Sequence, residues 1–166
     1  IKEKKVASTF KEIKPNHIVY QLLKKSLIEL DKFPNTTFSK IEIKKDKIVL
    51  NDTLPEMVKI KKRLAYWNDY KNKDSIISWA YDTLTFKAVK RFQARHGLLQ
   101  DGVIGKGTLN ALNVTKNERR EQIFANLERW RWYPNNLGKQ YLIVNLPEYM
   151  LNYVVDNDTV ATHKTV

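Results

Sequence analysis

The sequence predicts an α+β fold: a helical scaffold, then a small helical unit, then the opening strands of a truncated β-sheet portion. Three observations carry this. Apolar residues recur at helical spacing in several stretches before residue 131. Asp101-Gly102, Gly105 and Gly107 compress a loop between two of those stretches. From Lys139 the pattern becomes extended, and Lys139–Pro147, Tyr149–Val155 and Thr159–Val166 read as three successive strands.

Taken in order, Tyr20, Leu23, Leu27 and Leu30 share one helical face, so residues 16–31 form an amphipathic helix closed by Phe33 and Pro34. Phe38–Ile43 alternates, Lys44–Lys47 is polar and Ile48–Leu50 is apolar, which predicts a short hairpin with Asp46 in the turn. Thr53 with Glu56 fits a capping box, and Pro55 is tolerated in a first turn. Met57, Ile60, Leu64 and Trp67 then mark one face of a helix that runs to about Trp67. Asn68–Ser75 is polar and turn-rich, a linker or variable loop. Asp82 caps a helix whose Thr85, Ala88, Val89, Phe92 and His96 lie on one side, and Gly97 supplies a left-handed C-terminal cap. Leu98 turns back onto the core, and Thr108–Leu112 resumes a short helix ended by Asn113. Thr115 with Glu118 is a second capping box, opening a helix from Lys116 to Arg131 striped by Ile123, Leu127 and Trp130. Arg119, Asn126 and Arg129 occupy another face. The expected organisation is a scaffold over 1–75, a helical unit over 76–114, a linking helix over 115–137 and first strands over 138–166.

The 166 residues, 42% hydrophobic and 29% charged, suffice for one moderate core or two small ones. No apolar run is long enough to span a bilayer, and Ile1–Lys14 lacks the apolar centre of a signal peptide. Ile1 at the start and the unfinished alternation at Val166 read as cut ends of something longer. The absence of cysteine excludes disulfides, thiol nucleophiles and thiolate metal sites, and His17, His96 and His163 build no zinc site without carboxylate help. A net charge of +12 favours polyanions only if it is clustered. The 23 Lys and 7 Arg are spread over nearly the whole length, so the charge by itself selects no partner.

Ala88-Val89-Lys90-Arg91-Phe92-Gln93, His96-Gly97-Leu98, Asp101-Gly102-Val103-Ile104-Gly105 and Thr108-Leu109-Asn110-Ala111-Leu112-Asn113 together resemble the peptidoglycan-binding domain of the three-helix type. Asn126-Leu127-Glu128-Arg129-Trp130-Arg131-Trp132 with Tyr141–Pro147 resembles the approach to the catalytic domain of large L,D-transpeptidases that carry an inserted wall-binding module, and Tyr20–Leu64 is similar to their scaffold. The resemblance implies a location in the bacterial cell envelope, periplasmic or extracytoplasmic, with peptidoglycan strands and stem peptides as partners, no cofactor and no nucleic acid. It leaves a membrane anchor of the parent open. It also implies a cysteine nucleophile and a histidine base beyond the third strand of the intact enzyme, so this chain holds no catalytic residue and His163 is not the base. A monomer is expected, with an open sheet edge that invites pairing between copies.

Candidate peptidoglycan-binding residues are Arg91, Gln93, His96, Asp101 and Thr108; Arg119, Asn126 and Arg129 are candidates for interdomain or substrate contacts. Each has a plainer reading: His96 as a helix-end residue bonding a carbonyl, Asp101 as a turn residue, Arg91 and Gln93 as a solvated face, Arg119 and Arg129 as partners of Glu121 or Glu128. Exposed Trp130 and Trp132 would mark missing packing partners. Two other classes compete. A basic helical nucleic-acid-binding protein is disfavoured because about ten residues join the two helices of the motif, more than a helix-turn-helix allows. A purely architectural segment binding no ligand is the other.

Overall fold

Helical periodicity is realised wherever the sequence carries it. A computed structural model describes residues 15, 17–71, 77–134, 137–145 and 149–165. Its helices are α1 (Ile18–Asp31), α2 (Met57–Tyr66), α3 (Thr83–Arg95), α4 (Lys106–Asn113) and α5 (Lys116–Arg131), followed by β1 (Gln140–Asn145), β2 (Met150–Val155) and β3 (Asp158–Lys164). The architecture is α+β. No helix among the described residues is long and apolar enough to cross a membrane.

Contacts divide the chain into two compact units, residues 33–118 and residues 1–32 with 119–166. Within residues 33–118, the segment 38–54 pairs through its backbone with the segments on either side of α3. Ile48 bridges Ile104 and Thr53 bridges Ala80, both antiparallel. Within residues 33–118 the core is Met57, Ile60 and Leu64 of α2, Ala88, Val89 and Phe92 of α3, Leu109 and Leu112 of α4, and Ile41, Ile48, Tyr81 and Ile104 from the connecting segments, all buried.

Two local expectations fail in this unit. The hairpin over 38–50 does not form: Ile48 pairs with Ile104, and the backbone of Ile41 is taken by Asn113. The Asn113 carboxamide accepts the Ile41 N–H at 2.8 Å and donates to the Ile41 carbonyl at 2.9 Å, replacing a strand neighbour with one side chain. Nor does Thr53 cap α2. Its backbone bridges Ala80, and the cap position falls to Glu56, which makes no side-chain capping bond. The other caps form as read. Asp82 Oδ1 accepts the Thr85 N–H at 2.7 Å, Gly97 is left-handed with φ 65°, and Thr115 and Glu118 exchange bonds at 2.7 and 3.2 Å. Part of the expected linker at 68–75 lies outside the described residues.

In the unit made of residues 1–32 and 119–166 the strands form one antiparallel sheet of order β1-β2-β3, with Tyr141 opposite Val154 and Asn152 opposite Thr162. Asp156 and Asn157, with φ of 48° and 72°, make the two-residue turn between β2 and β3; positive φ at both positions matches the twist of the paired strands. Pro147 and Val166, expected to end strands, lie outside the described residues. Helix α5 forms over the residues read for it. Ile123, Leu127 and Trp130 are only half-buried, and no residue of the helix is buried.

Candidate functional site

The loop between α3 and α4 is organised by one amide. Gln93 follows Phe92 on α3 and is 1% exposed, so all of its polar atoms must be satisfied from within. Its Oε1 accepts the Gly102 N–H at 2.9 Å, and its Nε2 lies 3.0 Å from the Val103 carbonyl, 3.1 Å from Asp101 Oδ1 and 3.2 Å from Thr108 Oγ1. Asp101 adds its own turn, accepting the Val103 N–H at 2.8 Å. Gly102 must be glycine twice over: its φ is 74°, and a Cβ there would lie 2.2 Å from the Phe86 ring. Tyr81 completes the cradle by donating its hydroxyl to the Gly102 carbonyl. Burial pushes the Tyr81 pKa well above the ordinary tyrosine value, with the carboxylates of Asp101 and Asp82 adding to the shift, so the phenol keeps the proton it donates.

The five candidates in this unit thus separate. Gln93, Asp101 and Thr108 share one network; Gln93 and Thr108 are buried in it, and Asp101 stands at its exposed edge. His96 is half-buried, stacked on Phe92 with centroids 3.9 Å apart, and its Nδ1 lies 2.7 Å from the Phe92 carbonyl, the helix-end arrangement. Arg91 is exposed and donates to the Asp69 carbonyl. The outward rim of the loop is Leu99, 79% exposed, with Gln100, Asp101 and Lys106.

Beneath this loop lie charges that apolar spacing conceals. Lys61 sits one turn after Met57 and one before Leu64, on the core stripe of α2, and its side chain is 0% exposed. Its ammonium donates to Asp82 Oδ2 at 2.7 Å and to Ser78 Oγ at 2.9 Å. Because it donates to Ser78, it is not a base for that hydroxyl, and the pair is structural. Burial pushes the Asp82 pKa up, but the hydrogen bonds from Lys61 and Thr85 outweigh it and hold the carboxyl below its ordinary range. Asp69, also buried, is held by Arg95, whose Nε lies 3.1 Å from Oδ1. Arg63 is buried with its guanidinium 4.4 Å from the Phe38 ring centre. No group of three or more His, Asp or Glu among the described residues is placed to hold a metal ion.

The other unit contains a cleft of about 710 Å³ bounded by α1, α5 and the sheet. His17 is the N-cap of α1: its Nδ1 accepts the Val19 N–H at 3.2 Å. The ring proton therefore sits on Nε2, which lies 3.2 Å from Tyr141 Oη. Burial pushes the His17 pKa down, which keeps the ring neutral as the cap requires. Its imidazole stacks on Trp130, centroids 4.1 Å apart at 19°. Asn126 and Arg129 both line this cleft and are bonded to each other at 3.2 Å; Arg119 reaches Gln122 at 3.3 Å and does not line it.

Comparison with curated proteins finds no match to the chain. The model of the family described as "Putative peptidoglycan binding domain" matches residues 53–112, the stretch containing α2, α3, α4 and the Gln93-bound loop, and supports a peptidoglycan-binding role for the chain.

Proposed function

We propose that this chain is a non-catalytic peptidoglycan-binding and scaffold segment of an L,D-transpeptidase of the bacterial cell envelope, and that it holds the wall polymer along the rim of the α3–α4 loop. The observation that carries the reading is the Gln93 network. It fixes a loop within the family-matched segment and turns Leu99, Gln100, Asp101 and Lys106 outward at low ordering cost on binding. The apolar Leu99 side chain suits the hydrocarbon face of a glycan, Gln100 and Asp101 offer hydrogen bonds to amides and hydroxyls, and Lys106 and Arg91 attract stem-peptide carboxylates. The transpeptidase setting is supported by sequence resemblance, in the order of wall-binding unit, linking helix and antiparallel strands.

Co-sedimentation of the whole chain with purified insoluble sacculi tests this. Retention is expected to weaken with salt but persist, because short-range hydrogen bonds are not screened as long-range attraction is. Replacing Leu99 and Gln100 together by Ala is expected to lower retention about fivefold with no loss of fold. Complete release at moderate salt, or unchanged retention of the double variant, refutes the loop as the binding face.

A further inference from the structure

The cleft bounded by α1, α5 and the sheet has a lining that neither hydrophobic packing nor charge pairing explains. Its walls are aromatic and its edges carry carboxamides. Trp130, Trp132, Tyr133 and Tyr141 supply rings, and Asn126, Asn145, Asn152 and Asn157 supply amides. Arg129 is a cation in the lining, and no carboxylate among the described residues lines it. Trp132 is 77% exposed and Tyr133 is exposed, although both are large rings that a settled core would cover.

A purely apolar occupant would leave unused the hydrogen-bonding capacity that Asn126 and Asn152 keep beyond their partners within the chain. A strongly charged cation would meet Arg129. The lining calls for a flat molecule with apolar C–H faces and a perimeter of hydrogen-bonding groups, without positive charge. A pyranose ring has that shape: its axial C–H bonds carry slight positive charge and settle on the negative faces of aromatic rings, while its equatorial hydroxyls point to the sides. Carboxamides add a preference, because an acetamido group presents one N–H donor and one carbonyl acceptor that a single Asn can pair with reciprocally. Asn126 gives one amide hydrogen to the Gln122 carbonyl at 2.9 Å, and Asn152 Oδ1 accepts from Thr162 at 2.9 Å, which steadies both amides while leaving further N–H capacity on each. The His17 ring buttresses Trp130 from one side, so that indole is preset in orientation. The volume lies within the usual range of small-molecule sites.

We infer that this cleft is a second binding site, for an N-acetylated hexosamine glycan, with Trp132 and Tyr133 as the stacking platform and Asn126 and Asn152 as acetamido partners. It is separate from the α3–α4 loop, lies outside residues 53–112, and draws on the proposed function only for the choice of polymer. Arg129, beside Asn126, would accept a carboxylate carried on such a sugar.

The test is a titration of the whole chain with the N-acetylglucosamine tetrasaccharide, followed by the indole N–H signals of its tryptophans in proton–nitrogen correlation spectra. Trp130 and Trp132 signals are expected to shift saturably while Trp67 and Trp79 stay fixed, and cellotetraose, which lacks the acetamido groups, is expected to bind at least about fivefold more weakly. Trp132→Ala is expected to weaken binding about tenfold or more with the fold intact, and Asn152→Ala less severely. Absence of shifts at millimolar tetrasaccharide, shifts confined to Trp67 or Trp79, or equal affinity in Trp132→Ala overturns the site. Sacculus retention distinguishes the two proposals: retained sedimentation without a tetrasaccharide response removes this cleft alone, and a tetrasaccharide response without loop-dependent sedimentation removes the loop alone.

Discussion

The Gln93 carboxamide oxygen accepts the Gly102 N–H at 2.9 Å from within the core of the helical unit, so a side chain of α3 performs the backbone pairing that the loop cannot make for itself. Replacing it by Leu keeps the volume but strands the Gly102 N–H and leaves the Val103 carbonyl only the Thr108 hydroxyl at 3.3 Å. Gln93→Leu is expected to cost about 2–3 kcal/mol, measured by urea unfolding. Any loss of sacculus retention should then disappear under conditions where the variant is fully folded; a persistent loss would restore Gln93 as a direct ligand contact.

Lys61 and Asp82 are a buried cation and its half-buried partner. Removing the ammonium leaves Asp82 with only the Thr85 bonds, and Lys61→Met is expected to lower stability by about 2 kcal/mol near neutral pH. The Asp82 pKa is depressed in the folded chain, so its contribution is present above the ordinary value of 3.8 and is lost as pH falls through the folded value. Lys61→Met should therefore show a smaller acid-side loss than the parent chain. Circular dichroism melts from pH 7 down to pH 3 on both proteins check the sign.

His17 acts in the same direction, from an ordinary value of 6.5 rather than 3.8. Its pKa is lowered in the folded chain, so the unfolded chain takes up the proton first, and stability present above the ordinary value of 6.5 is lost as pH falls through the folded value. Asparagine caps helices without titrating between pH 8 and pH 5. The melting temperature difference between pH 8 and pH 5 should be smaller in His17→Asn than in the parent chain, by about 2 °C or more. Equal differences would mean that the imidazole is not the titrating cap.

Covalent chemistry offers a fourth check. The sequence has no cysteine, and Ser78 accepts a hydrogen bond from the Lys61 ammonium, so neither a thiol nor this hydroxyl is set up as an acyl acceptor. Incubation with a carbapenem should leave the intact mass unchanged. A stoichiometric adduct would reveal a nucleophile and displace the non-catalytic reading.

What the sequence disclosed followed local rules. The periods of α1, α3 and α5, the Asp82 and Thr115 caps, the Gly97 and Gly102 conformations and the switch to strands after Lys139 all rest on residues within one or two turns of one another. The failures are non-local. Ile48 reads as one arm of a hairpin because its true partner, Ile104, is far along the chain, and nothing near Ile41 announces Asn113. In the candidate site, Asp101 and Arg91 stand outward as their polarity suggests, whereas Gln93 and Thr108 turn inward because a glycine-rich loop needs polar side chains to satisfy its backbone. Lys61 lies among the apolar residues of α2, where their spacing conceals it, and only the position of Asp82 shows why it is tolerated. The aromatic lining of the cleft draws on α1, α5 and the sheet together, and no single stretch spells it out.

The clasp between Ile41 and Asn113 also orders events during synthesis. It joins residues 72 apart, and Lys116, which donates to the Phe33 carbonyl, joins residues 83 apart. Contacts of such separation bring the full cost of loop closure before their reward. A nascent chain released at residue 100 would hold α1, α2 and α3 yet lack the Asn113 amide that occupies Ile41 and the α4 residues that seal the core. On the ribosome the helical unit should therefore remain protease-sensitive until residues up to about 116 have cleared the exit tunnel, then become resistant in one step. Arrested chains of graded length, challenged with protease, should place that step after Asn113 and not after α3.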